Sequence, residues 1–230
     1  MPVSLRVLLG VHLACAFSAT AAFWVAAGAS KGGVLHRYAG RRFAHLMYAA
    51  AATGGTLALV GLFAPWLLAP LDATGTATRQ KMGLILYLLV IIVAPVQHGV
   101  AVIAAGPTPL RVRSRWHAWL NTAGLAGTLI MFPAAIAWHA WGALLVSPAG
   151  FIIGVRNMRY ASRPVAAEVE WQREHLTSLV TAGIMFHTAF FALAAARWPA
   201  WFGDPPWAAI PWLVPAAIGL PMMVYLRRRQ

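Results

Sequence analysis

The chain has 230 residues, of which 60% are hydrophobic and only 10% are charged, and its mean hydropathy is +0.69. A water-soluble domain has about 25% charged residues, so this composition leaves too little polar material to cover a water-facing surface. It excludes a soluble globular domain and predicts a membrane protein. The net charge of +13 does not indicate nucleic acid as a partner, because the basic residues stand in short clusters beside apolar runs.

The lengths of the apolar runs predict seven membrane-spanning helices. A helix needs about 20 mostly apolar residues to cross a bilayer. The predicted spans are approximately 6–29, 43–69, 82–106, 117–139, 141–158, 175–196 and 208–226. The stretch 117–158 is too long for one crossing, so we divide it near "WHAWG", with Gly142 as the helix breaker. The fold class is therefore all-α, a polytopic bundle of seven helices forming one integral membrane domain over residues 1–230.

Basic residues in the connections predict the orientation of these helices. Four of them lie in 30–42, three in 107–116, four in 156–174 and three in the C-terminal tail, whereas the alternate connections contain few charges. Because basic loops stay on the cytoplasmic side, this alternation predicts an N-terminus outside and a cytoplasmic C-terminus. The loops on that side would contact the anionic headgroups of the lipid bilayer.

Histidine is the residue type most informative about function, because ionisable groups are expensive within a membrane span. At 1.5 Å per residue, His98 lies about 12 Å and His187 about 18 Å from the predicted inner ends of their spans. Three roles remain open for these side chains: ligands of haem or a metal, members of a proton relay, or structural hydrogen-bonding groups. Candidate haem pairs are His98 with His187 and His45 with His117 on the inner side, and His12 with His139 on the outer side. The candidate cofactor ligands are His45, His98, His117, His175 and His187.

The segment "VAPVQHGV" (93–100) is the best single indication of a binding cavity. Pro95 removes a backbone hydrogen bond within the third span, and Gln97 and His98 follow it directly. A cavity lined by Pro95, Gln97 and His98 would bind a small molecule. The alternative is a packing kink in which Gln97 bonds to a neighbouring helix.

The segment "EVEWQREH" (168–175) places acidic residues just before the sixth span. Glu170 and Glu174 are one helical turn apart and are expected to pair with the arginines of 37–42. The alternative makes Glu174 and His175 a general acid–base pair. The sequence contains no HExxH or CxxC spacing, nucleophile elbow, Walker loop or dinucleotide fingerprint, so it assigns neither a metal nor a reaction, and an enzyme is not the preferred class.

Three stretches resemble a known family: "KGGVLHRYAGRRF", "REHLTSLVTAGIMFHTAFF" and "WLVPAAIGLPMMVYLRRR". They are similar to the predicted bacterial membrane proteins grouped as domain of unknown function 2306. The best-matching residues are Lys31, Gly32, Gly33, His36, Arg37, Gly40, Glu174, His175, Thr188, Ala189 and Phe190. The resemblance implies the membrane architecture and a cytoplasmic motif of Lys31, Gly32, Gly33, His36, Arg37, Glu174 and His175, but no reaction or ligand.

Two functions of different classes follow. The first is a multi-pass bacterial inner-membrane protein that binds haem or a metal through its histidines, for electron transfer or cofactor handling, with haem b as the candidate cofactor. The alternative is a small-molecule transporter or sensor with its cavity at the kinked third span. A homo-oligomer is compatible with either function.

Overall fold

A computed structural model describes residues 1–68, 75–195 and 207–228, without the side chains of 195 and 208. These residues form helices and turns and contain no strand, which confirms the predicted all-α fold. The helices are α1 (Val3–Gly28), α2 (Val34–Phe63), α3 (Thr76–Ala105), α4 (Arg115–Ala137), α5 (Trp141–Val146), α6 (Ala149–Ala161), α7 (Glu168–Ala195) and α8 (Ile210–Arg228). Short 3₁₀ turns lie at Pro65–Leu67, Pro109–Val112 and Trp207–Ala209.

Within the described residues, six helices are long and apolar enough to cross a membrane: α1, α2, α3, α4, α7 and α8. They leave large apolar side chains uncovered, such as Leu129 and Ile130 on α4, which are 74% and 68% exposed. Such surfaces suit contact with lipid and are unusual on soluble proteins. Together these features indicate a multi-pass membrane protein.

The predicted fifth span, 141–158, is a broken helix rather than a continuous one. α5 ends at Val146 and α6 begins at Ala149, with Pro148 between them. Proline has no backbone N–H to donate to the carbonyl of Leu144 one turn earlier. The Ser147 hydroxyl donates to that carbonyl instead, at 2.9 Å. The break therefore leaves no orphaned carbonyl at Leu144, but each of the two pieces alone is too short to cross a membrane.

The two pieces nevertheless run back along α4. The Thr128 hydroxyl donates to the carbonyl of Ser147 at 2.9 Å, and the side-chain amide of Asn157 donates to that of Asn121 at 2.9 Å. Thr128, late in α4, contacts Ser147 before α6, and Asn121, early in α4, contacts Asn157 late in α6. The segment formed by α5 and α6 therefore runs antiparallel to α4. A glycine faces α6 at Gly124, where an added Cβ would lie 3.3 Å from the Gly150 carbonyl oxygen.

The chain divides into two compact units, Met1–Leu89 and Val90–Gln230. In the first unit, α1 and α2 form an antiparallel hairpin. Near its middle, the His12 ring donates from Nδ1 to the carbonyl of Ala50 at 2.9 Å. A Cβ at Gly54 would lie 2.7 Å from that ring, so the glycine is what allows the imidazole to fit between the helices. Nearer the connection between the two helices, the ring centroids of Phe23 and Phe43 lie 5.4 Å apart.

In the second unit, the connection after α3 meets the connection before α7. The backbone N–H of Ala166 donates to the carbonyl of Pro107 at 3.1 Å. α3 and α6 end, and α4 and α7 begin, beside these connections. Polar side chains from all four helices are buried there, and they form the candidate site described below.

The Asn121–Asn157 pair tests the register of α6 on α4, because both side chains are fully buried. Replacing Asn121 with Leu leaves the Asn157 amide without this acceptor, and we expect the free energy of unfolding to fall by about 1 kcal/mol. The Asn121→Leu/Asn157→Leu double variant should lose less than the sum of the single variants. Tryptophan fluorescence during titration with sodium dodecyl sulfate measures each value. Strictly additive losses would show that the two amides do not interact.

Candidate functional site

His98 of α3 is the centre of a buried polar network. Its side chain is fully buried, and both ring nitrogens have partners on other helices. Nδ1 lies 3.0 Å from Nε2 of His117 on α4, and Nε2 lies 3.0 Å from Oε1 of Glu174 on α7. One imidazole thus joins a second imidazole to a carboxylate across three helices.

Arg156 of α6 completes the charge balance of this network. Its Nη2 atom lies 3.5 Å from Oε1 of Glu174, and it donates to the hydroxyl of Ser178 at 2.9 Å and to Oδ1 of Asn157 at 3.3 Å. Ser178 lies one turn after Glu174 and contacts the same carboxylate oxygen at 3.4 Å. Three polar groups therefore converge on a single oxygen of Glu174.

Local sequence features place the two histidines. Ser114 caps the start of α4 by accepting a hydrogen bond from the backbone N–H of His117 at 3.0 Å, which fixes His117 in the first turn. Gly99 follows His98 on α3, and a Cβ there would lie 2.8 Å from Leu179 on α7. The glycine allows α7 to approach, so that His175 donates from Nδ1 to the Gly99 carbonyl at 2.8 Å.

An apolar layer covers the network where α3 and α6 end. It consists of Val102, Ala105, Val112, Tyr160, Ala161 and Ala166. The ring of Tyr160 packs edge-on against His98 at 5.5 Å. Burial raises the pKa of Tyr160 to about 12, and the charge of Glu174 acts in the same direction. The phenol therefore stays protonated at neutral pH, and its hydroxyl has no hydrogen-bond partner among the described residues.

Three further buried side-chain atoms have no hydrogen-bond partner within the described part of the chain: Gln97 Oε1, Arg156 Nε and Arg173 Nε. Two of these are N–H groups of arginine side chains, which can only donate. Buried polar groups normally find a partner, and an orphaned one often marks a functional place.

The predicted cytoplasmic motif separates into two parts. Lys31 donates to the carbonyl of Ala27 at 2.6 Å, and His36 donates from Nδ1 to that of Ala26 at 2.9 Å, so both satisfy carbonyls left open at the end of α1. Gly32 has a φ of +73°, a conformation that favours glycine, and its carbonyl accepts from Arg37. This part of the motif closes the α1–α2 hairpin, whereas Glu174 belongs to the buried network and His175 bonds to the backbone carbonyl of Gly99.

The remaining candidate residues are His187, His45 and Pro95. His187 is 13 residues after Glu174, about 20 Å along α7, and bonds to the Gly183 carbonyl of its own helix at 2.7 Å. His45 is exposed on α2 in the first unit. Pro95 is fully buried within α3, which continues through it from Thr76 to Ala105. A cavity at this position stays a prediction.

Haem ligation through His98 does not fit this arrangement. An axial ligand must offer a ring nitrogen to the iron. Both nitrogens of His98 are engaged by His117 and Glu174, and His187 is about four helical turns away along α7. The described residues also contain no group of three or more metal-binding side chains placed to hold a metal ion.

Sequence reasoning missed the polar partners on α6 and part of α7, namely Arg156, Asn157 and Ser178. Asn157 within an apolar run was a usable signal, because a polar amide in a span usually bonds to a neighbouring helix. Arg156 was attributed to the cytoplasmic boundary, where an arginine is ordinary. Comparison with known proteins adds nothing here: no family model, curated protein or solved structure matches the chain. Membership of the resembled family therefore stays a prediction.

Removing His98 tests how far the network stabilises the second unit. We expect His98→Ala to lower the free energy of unfolding by about 3–5 kcal/mol, because it removes a fully buried side chain and the closest partner of the Glu174 carboxylate. His45→Ala is the matched control, since its exposed ring should contribute less than about 0.5 kcal/mol. Unfolding in mixed micelles gives both values. Equal losses in the two variants would mean that the network contributes nothing to stability.

Proposed function

We propose that this protein is a multi-pass protein of the bacterial inner membrane that transfers protons through His117, His98 and Glu174. The observation that supports this most directly is the fully buried His98 ring, with both nitrogens 3.0 Å from another titratable group. Imidazole exchanges protons near neutral pH and can accept at one nitrogen while donating from the other. A single fully buried ring placed between an imidazole and a carboxylate is suited to that task.

Two proton arrangements satisfy the same hydrogen bonds. In the first, His117 donates from Nε2 to Nδ1 of His98, and His98 donates from Nε2 to the Glu174 carboxylate. In the second, a proton has arrived at the other nitrogen of His117, the shared proton has moved to His98, and His98 is a cation between two acceptors. Passing the Nε2 proton to Glu174 then leaves His98 neutral. Each transfer covers one 3.0 Å hydrogen bond and requires no movement of a helix. Both imidazoles end in the opposite tautomer, so each ring must rotate before the next proton passes in the same direction.

α7 offers a polar continuation from Glu174 towards its other end. Ser178, Thr181 and Thr188 lie on the same side of the helix as Glu174, following its periodicity. Ser178 is fully buried and Thr188 is 2% exposed. The stripe extends for about 21 Å, which is most of the thickness of the hydrocarbon core. Hydroxyl groups with intervening water would extend the proton path along it.

The antiparallel course of α5 and α6 along α4 supports seven crossings rather than six. If α4 crosses from the cytoplasm outward, residues 141–158 return to the end at which α4 begins. The basic connections 107–116 and 156–174 then lie on one side, beside the buried network, with the N-terminus outside and the C-terminus in the cytoplasm. The proton relay opens towards the cytoplasm in this arrangement.

Cysteine labelling tests whether 141–158 crosses the membrane. Cys15 is the single native cysteine, so a Cys15→Ser background accepts one new cysteine at the exposed positions His139 or Ser162. We expect His139→Cys in whole cells to react with a membrane-impermeant maleimide, and Ser162→Cys to react only after permeabilisation. Labelling of both positions from the same side would contradict the seventh crossing.

Proton flux into vesicles tests the function itself. Purified protein in liposomes that contain a pH-sensitive dye should acidify the interior when a potassium diffusion potential is applied. Glu174→Gln and His98→Gln keep hydrogen-bonding groups but cannot exchange a proton near neutral pH, so we expect each to reduce the initial rate at least tenfold. His45→Ala is the control and should retain the wild-type rate. A rate for Glu174→Gln equal to that of the wild type would overturn the proposal.

A further inference from the structure

We propose that Arg156 binds a small monocarboxylate in exchange for Glu174, so that one proton accompanies each anion. The inference rests on the proposed function in one respect, namely that Glu174 takes up a proton. It adds a substrate class and a binding residue. It follows from the contacts, charge and exposure of the Arg156–Glu174 pair.

The guanidinium of Arg156 is bound to a carboxylate only loosely. Its Nη2 atom is 3.5 Å from Oε1 of Glu174, whereas a charge-assisted N–H···O bond is normally about 2.7–2.9 Å long. The same Glu174 oxygen is closer to His98, at 3.0 Å. The Glu174 carboxylate therefore bonds mainly to His98. Its contact with Arg156 is too long for a strong hydrogen bond.

Arg156 also has binding capacity that the protein leaves unused. Its Nε atom is buried and has no hydrogen-bond partner within the described residues. One turn later on the same helix face, the hydroxyl of Tyr160 is likewise unpartnered, and that side chain is only 5% exposed. An arginine fork with a hydroxyl donor one turn away on the same helix is suited to a planar carboxylate, which accepts two parallel hydrogen bonds.

Charge balance links the anion to a proton. The network contains one guanidinium, one carboxylate and two imidazoles, so neutral imidazoles leave it without net charge. A proton that neutralises Glu174 leaves the charge of Arg156 unbalanced, and a partly buried guanidinium is stabilised by an anionic partner. A substrate carboxylate then takes the place of Glu174 beside Arg156 and the Ser178 hydroxyl. The side chains of Arg156 and Glu174 are 29% and 15% exposed, so neither is completely buried.

Other charged groups act on this exchange from the surrounding elements. Arg113 acts on His117, Arg227 on Arg156, and Arg163 and Glu170 on Tyr160. Cations predominate among them, which favours an arriving anion.

Calorimetric titration of the full-length protein in detergent with sodium lactate tests the proposal. Repeating the titration at pH 7 in two buffers of different ionisation enthalpy gives the number of protons bound per lactate. We expect close to one proton for the wild type, and no binding of chloride or sulfate at equal ionic strength. Wild-type binding without proton uptake, or chloride binding as tight as lactate binding, would overturn the inference.

Variants separate the two partners of Arg156. Glu174→Gln mimics the neutral acid, so it should bind lactate at least as tightly as the wild type and take up no proton. Arg156→Lys, which keeps the charge but loses the planar fork, should bind at least tenfold more weakly, and Tyr160→Phe should bind more weakly by a smaller factor. Tyr48→Phe, in the first unit, is the control and should match the wild type. Undiminished binding by Arg156→Lys would count against the site.

The two proposals fail in different ways. If Glu174→Gln abolishes proton flux in vesicles but neither it nor the wild type binds lactate, the relay stands and the anion site is wrong. If lactate binds to the wild type with one proton while Glu174→Gln conducts protons as the wild type does, the transmembrane relay is wrong and the exchange at Arg156 stands.

Discussion

The architecture of the second unit depends on one constraint, which is that the carboxylate of Glu174 is largely withdrawn from water, its side chain being 15% exposed. A buried carboxylate is tolerated only with partners that hydrogen-bond to it. Glu174 obtains them from His98 on α3, Arg156 on α6 and Ser178 on its own helix. These contacts form only if α3, α6 and α7 keep a fixed rotation about their axes and a fixed axial position relative to each other. A shift of α6 by one residue would turn Arg156 by 100° and remove it from the carboxylate.

The break between α5 and α6 helps to meet that requirement. A continuous helix over 141–161 would keep a fixed phase from Trp141 to the end of α6. The interruption at Pro148 lets α6 adopt its own rotation, while the Ser147 hydroxyl satisfies the carbonyl that the proline leaves open. The Asn121–Asn157 pair then fixes α6 against α4. Arg156, the residue before Asn157, is consequently held at the network by a contact that lies outside the proposed proton path.

The sequence predicts the helices better than it predicts their ends or their pairing. Hydropathy marks the apolar part of a helix, but α2 begins at Val34 and α7 at Glu168, earlier than predicted, because arginine and glutamate are good helix formers beyond the apolar run. Among the network residues, His98 stands out by its rarity in a span. Which side chain His98 faces depends on the rotation of each helix about its axis. Composition and spacing do not determine that rotation. The hydrogen bond from His98 to His117 therefore could not be predicted in place of a haem pair with His187.

Positive charge has different roles in the two units, and the difference bears on the proposed response of the network to a proton. In the first unit, Lys31 donates hydrogen bonds to backbone carbonyls of α1, which carry only partial charge and do not titrate. In the second unit, Arg156 faces Glu174, a full and titratable negative charge. Protonating Glu174 therefore changes the net charge around a guanidinium that cannot itself lose a proton. Such a pair can return to neutrality only by releasing the proton or by accepting an anion. Retention of the proton on Glu174 is therefore linked to the presence of an anion beside Arg156.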